Sequence, residues 1–150
     1  MIVTTEQLGE LTEPVAVVDG GFDPLHAGHI AYFKAASDLG VPVLCNVSSD
    51  EWVARKHPVL LPQADRAVVI DAIRWITYVH VSTTSTADVL RRLRPTYYVK
   101  GNDWEGRLPD EERAICASLG IEIRYMDTVS HSSSQLVKRM LDGADQPEPQ

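Results

Sequence analysis

Five short runs rich in apolar residues, most of them without polar alternation, constrain this 150-residue chain more than any other feature. They lie at residues 15–18, 41–47, 76–81, 97–99 and 121–125, and the stretches between them carry helical spacing. A sheet with one face in water imposes every-other-residue polarity on its strands, whereas a strand covered on both faces stays apolar throughout. The expected architecture is therefore α/β: a doubly wound parallel sheet of five strands with helices on both faces. Helices are expected at 29–39, 63–74, 86–93, 110–119 and 132–141, the third ending ahead of Pro95 and the fourth at Gly120. Residues 1–141 read as a single domain, and the Pro-, Asp-, Glu- and Gln-rich tail 142–150 is expected to be disordered. Sheets of this kind bind ligands at the carboxyl ends of their strands. That rule selects the loops after Val18, Val47, Val99 and Tyr125.

Charge narrows the partners. Fourteen Lys and Arg against 21 Asp and Glu give a net charge of −7, which argues against a general nucleic-acid binder needing a basic face. A single nucleotide is still accommodated, because a local cluster of donors and cations is enough for it. No apolar run approaches the roughly 18 residues that cross a bilayer. The first 14 residues carry Glu6, Glu10 and Glu13 without an apolar core, so they do not read as a signal peptide. Cys45 and Cys116 are isolated within apolar segments and read as reduced core residues. The expectation is a cytoplasmic protein with no membrane or nucleic-acid partner.

The first loop concentrates the chemistry. Gly20-Gly21-Phe22-Asp23-Pro24-Leu25-His26-Ala27-Gly28-His29 follows the first strand and opens the first helix. Two histidines three apart at a helix start project to one side, where free N–H groups and the helix dipole already favour an anion. Their imidazoles can donate to charge developing on a phosphate. Gly20, Gly21 and Gly28 are expected to let the backbone turn tightly and approach a ligand. The usual helical metal pair is spaced four apart with a Glu between, and no third ligand lies nearby, so no protein metal site is expected.

Taken whole, Gly20 to His29 resembles the G-x-F-D-x-x-H-x-G-H signature of nucleotidyltransferases related to cytidylyltransferases and ADP-heptose synthases. Class I aminoacyl-tRNA synthetases share a related motif but are far longer. The resemblance runs from about residue 15 to 140 and implies a Rossmann-like sheet. Ser49-Asp50-Glu51-Trp52 with Arg55 and Lys56 resembles the family segment supplying a phosphate-binding lysine. Pro62-Gln63-Ala64-Asp65-Arg66 resembles its P-x-x-x-R helix start, whose arginine faces the active site. Val99-Lys100-Gly101-Asn102-Asp103 is similar to ADP-heptose synthases, and Asp103-Trp104-Glu105-Gly106 to glycerol-3-phosphate cytidylyltransferases. Gly101 permits a tight turn at a strand end, and Asp103 can accept hydrogen bonds from a ribose or base edge. Ser132, Ser133 and Ser134 resemble the family's final serine and threonine motif, a cradle of hydroxyls and helix N–H groups for outer phosphates.

By this resemblance His26, His29 and Lys56 are the catalytic residues. Gly21, Phe22, Asp23, Arg55, Arg66, Lys100, Gly101, Asp103 and Ser132 to Ser134 bind the nucleotide. Mg2+ arrives mainly on the nucleoside triphosphate, and the protein is expected to be a homodimer. Two departures from the glycerol-phosphate type stand out: Asp127 occupies the place of an arginine, and Gly21 that of a Thr or Ser. Both favour ATP and a phosphorylated sugar such as a heptose 1-phosphate. CTP-dependent transfer to glycerol 3-phosphate or a similar polyol phosphate is the alternative. A non-catalytic nucleotide-sensing module is a third reading.

Overall fold

The central apolar runs become strands whose residues are buried alternately on opposite sides of one sheet, while the last run forms a part-exposed edge strand. The computed structural model describes residues 1–127 and 133–144. Its strands are β1 (Ile2–Val3), β2 (Ala16–Gly20), β3 (Val43–Val47), β4 (Tyr78–Val81), β5 (Tyr97–Gly101) and β6 (Glu122–Met126). They lie in the order β1-β4-β3-β2-β5-β6, every neighbouring pair parallel. The helices are α1 (Ala27–Ser37), α2 (Asp50–Ala54), α3 (Gln63–Asp71), α4 (Thr86–Leu93), α5 (Asp110–Leu119) and α6 (Ser133–Ala144).

Val15, Val17, Leu44 and Tyr98 face one side and pack with Leu90 and Leu93 of α4, Ile115 and Cys116 of α5, and Leu8. Ala16, Val18, Val43, Cys45 and Val99 face the other and pack with Tyr32, Phe33 and Ala36 of α1 and Ala67 and Ile70 of α3. Central strands covered twice have no polar side to show, which explains the missing alternation.

Among the described residues the sheet has six strands, not five. β1 pairs Ile2 with Val79 and Val3 with His80, and Val3 is buried. Two residues carry no readable period; this strand exists because β4 offers an edge whose backbone groups need partners. Smaller differences follow from caps. α1 begins at Ala27, two residues early, because His26 caps it. α3 stops at Asp71, and the short α2 forms where Ser49 accepts the Trp52 N–H at 3.2 Å. α6 runs to Ala144, three residues beyond its expected end, and 145–150 lie outside the described residues. Cys45 and Cys116 are buried free thiols. Burial pushes both up, Cys116 to about 11, so neither is a thiolate. Among the described residues no helix is long and apolar enough to cross a membrane.

From β2 the chain steps to β3 and β4 on one side, and later to β5 and β6 on the other. Successive loops splay apart at such a switch point and leave a crevice.

Candidate active site

The crevice is a cleft of about 1140 Å³ across the carboxyl ends of the strands. The loops after β2, β3 and β5 line it as expected, and so does the loop 82–86 after β4, which sequence reasoning passed over.

At its centre the β2–α1 loop is locked by its own histidines. His26, extended at φ −144°, caps α1: its Nδ1 accepts the Gly28 N–H at 3.1 Å, and His29 Nδ1 accepts the His26 N–H at 3.2 Å. The rings stack with centroids 3.7 Å apart. An Nδ1 that accepts a backbone N–H carries no proton, so each neutral ring holds its hydrogen on Nε2. Burial, then the neighbouring His26, lowers the His29 pKa to about 3. His29 is thus a neutral Nε2–H donor at pH 7. Phe22 packs edge-on against it at 4.9 Å.

The glycines here act by making room. The left-handed residue of the turn is Phe22, at φ 53°. A Cβ on Gly20 would lie 3.0 Å from the Phe22 ring, and one on Gly21 3.2 Å from Val53 Cγ2. Gly101 is extended at φ −72°, a conformation open to any residue, so the 3-10 turn Asn102–Trp104 that follows it does not require glycine.

Two buried polar side chains brace this loop. Asp23 accepts the N–H groups of Leu60 and Leu61 at 2.8 and 2.9 Å, tying the loop to the segment that follows α2. Arg66, 1% exposed, donates through Nη1 to the carbonyls of Gly21 and Ser48, both at 2.7 Å. Its Nε donates to the Leu61 carbonyl at 2.9 Å and its Nη2 meets Asp50 at 2.7 Å. A buried guanidinium demands partners for nearly all its donors, and here they are the carbonyls of Gly21, Ser48 and Leu61 and the Asp50 carboxylate. Arg55 and Lys56 stand exposed at the end of α2 and border the cleft, with Arg55 stacked 4.8 Å over Trp52.

The other wall is built around Lys100. It is 7% exposed, its Nζ lies 2.7 Å from Asp19 Oδ1, and it sits 4.2 Å over the Trp104 ring. Tyr98 Oη lies 3.2 Å from Asp19 Oδ2 and 2.5 Å from Glu112 Oε1. Burial raises the Glu112 carboxyl above its ordinary value.

Comparison with known proteins fits this geometry to a family. Residues 17–139 match the model of the cytidylyltransferase-like proteins. The chain belongs to that family. A bifunctional protein HldE of Campylobacter curvus is 31% identical over 151 residues, covering 94% of this chain and 31% of HldE. An FAD synthase of Pyrococcus horikoshii is 33% identical over 114 residues, covering 73% and 76% of the two chains. The chain thus spans under a third of the length of that HldE. A lipopolysaccharide core biosynthesis protein from Thermoplasma volcanium shares the fold at TM-score 0.64 and 19% identity, covering 80% of this chain and 99% of its own.

In this cytidylyltransferase-like chain, most of the residues expected from sequence meet in one place. Gly21, Phe22, Asp23, His26, His29, Arg55, Lys56, Lys100, Gly101 and Asp103 all line the cleft. Arg66 lies behind it as a positioning residue rather than facing it. Ser132 lies outside the described residues, as do the side chains of Ser133 and Ser134, but Gln135 in the first turn of α6 borders the same cleft. Asp127, at the departure from the glycerol-phosphate pattern, is exposed. Asp19, Tyr98 and Glu112 were missed. Asp19 had left one signal: a carboxylate ending an apolar strand is costly unless a cation meets it.

Proposed function

We propose that this nucleotidyltransferase moves a nucleoside monophosphate, with ATP the favoured donor, onto a phosphorylated sugar such as a heptose 1-phosphate and releases pyrophosphate. The observation that carries the reading is the stacked histidine pair, its Nε2–H groups fixed as donors at a helix N-terminus on the sheet's switch point. An oxygen of the acceptor phosphate bonds to the α-phosphorus. The bond from that phosphorus to the α–β bridging oxygen breaks, and its electron pair leaves with pyrophosphate. His26 and His29 donate to the α-phosphate and bridging oxygen as charge grows there. Lys56 and Arg55 hold the phosphates in line, and no covalent enzyme intermediate is needed. The start of α6, with Ser132 to Ser134, cradles the outer phosphates.

Magnesium supplies charge neutralisation on the triphosphate. Asp23 is committed to two backbone N–H groups and Asp19 to Lys100. Among the described residues no group of three or more His, Cys, Asp or Glu stands ready for a metal. That donor set suits an ion carried on phosphate oxygens and water rather than a protein cage.

The name FAD synthase on one relative supports ATP, because half of FAD is adenosine monophosphate. CTP transfer to a polyol phosphate draws support from Asp103-Trp104-Glu105-Gly106, with Asp127 against it. The reading includes a cytoplasmic homodimer. The test is a pyrophosphate-release screen pairing ATP, CTP, GTP and UTP with sugar 1-phosphates and polyol phosphates. Release with ATP and a sugar phosphate is expected; nucleotide binding without release from any acceptor would make the chain a sensing module instead.

A further inference from the structure

Beside the histidine loop, the cleft floor carries a polar row that the transfer chemistry does not use. In the register of the sheet, Asp19 of β2 lies opposite Asn46 of β3, and Asn46 opposite His80 of β4. Strand residues two apart share a face, and Val17 and Leu44 pack on the α4 and α5 side, so the row lies on that side too. Asn46 and His80 are 3% and 1% exposed, yet Asn46 borders the cleft.

Their hydrogen bonds leave little freedom. Asn46 Oδ1 can only accept, so His80 Nδ1–H donates to it at 2.8 Å. His80 Nε2 then accepts from the Thr5 hydroxyl at 2.9 Å, and Thr5 Oγ1 accepts from Thr83 at 2.9 Å. This relay turns the Asn46 NH2 toward the cleft, where it has no partner among the described residues. Next to it stands the Asp19 carboxylate, an acceptor, and above it Thr83 and Thr84 of the loop after β4. Lys100 already neutralises Asp19. The remaining cleft cations among the described residues, Arg55 and Lys56, follow α2, whose Asp50 pairs with Arg66 of α3, the helix packed on the opposite face of the sheet.

We propose that Asn46, with Asp19 and the loop 82–86, is the specificity-determining site for the acceptor and takes its neutral, hydroxylated body. A sugar or polyol hydroxyl both donates and accepts, matching a fixed carboxylate and a fixed amide N–H side by side. A phosphate there would meet a carboxylate and no available cation, so the acceptor's phosphate lies toward Lys56 and its hydroxyls on the row. This rests on the transferase reading above.

The test is steady-state pyrophosphate release by the full chain with matched acceptors: glycerol 3-phosphate against propyl phosphate, and each active sugar 1-phosphate against its deoxy analogues. Removing hydroxyls should lower kcat/KM by about 100-fold or more, the scale on which a site built to bind a hydroxyl rejects its absence. Asn46→Ala should raise the acceptor KM by about 10-fold or more and leave the nucleotide KM unchanged. Should that buried change prevent folding, the doubly substituted T83V/T84V, at exposed positions, should show the same selective rise. Propyl phosphate matching glycerol 3-phosphate, or variants shifting the nucleotide KM instead, would overturn the assignment while leaving the transferase reading intact. Absence of release from every acceptor removes both.

Discussion

The histidine loop and the polar floor are two parts of one cleft built by opposite means. His26, Gly28 and His29 satisfy one another within four residues, through ring nitrogens on backbone N–H groups. Lys100 and Asp19 satisfy one another across 81 positions of chain, and Asn46, His80 and Thr5 across up to 75, and strand register sets Asp19, Asn46 and His80 in one row. A loop that solves its own hydrogen bonds can be recognised in a string of letters. A row assembled by pairing cannot, and each member needs the others to be tolerable in the interior.

The largest effect should come from breaking the floor. Lys100→Met leaves the Asp19 carboxylate buried without its cation and should cost about 3–5 kcal/mol of folding stability, read by denaturant unfolding. Adding Asp19→Asn should recover most of it; an additive double variant would mean that the two do not act as a pair. The loop should respond the other way. His29→Ala should cut pyrophosphate release by about 100-fold or more while circular dichroism shows the fold retained. Near-wild-type turnover in that variant would remove the assigned role.

A pH series sharpens the contrast. Folded His29 titrates near 3 rather than its ordinary 6.5. As pH falls through that window the unfolded chain takes up a proton that the folded chain refuses, so stability must fall with it. Burial lowers His80 as well and adds in the same direction. His29→Gln should therefore flatten, without abolishing, the loss of Tm between pH 7 and 5. The smallest effect belongs to the exposed cation. Arg55→Ala should weaken nucleotide affinity by about 2- to 5-fold, the range of about 0.5–1 kcal/mol for surface charges, and the deficit should shrink at high salt.

Much of the site was legible because its signals are local. The glycines, Phe22, Asp23 and both histidines occupy one contiguous loop, and the carboxyl-end rule put the loops after β3 and β5 beside it. What escaped was non-local. Arg66 read as a residue facing the site, yet burial turns its donors onto the carbonyls of Gly21, Ser48 and Leu61. Lys100 lines the cleft, but its pairing with Asp19, 81 positions away, could not be seen from its neighbours. The loop 82–86 carries only Ser and Thr, whose hydroxyls suit any turn and so announce nothing.

The sequence alone determined the doubly covered parallel sheet and the histidine loop at its first turn. Apolar periodicity and helix capping act over a few residues and are written there directly. Only the tertiary structure decided the sixth strand, the inward use of Arg66 and the row from Lys100 to His80. Those depend on which strands pair and in what register, and pairing is settled by burial over the whole chain rather than by any neighbour in it.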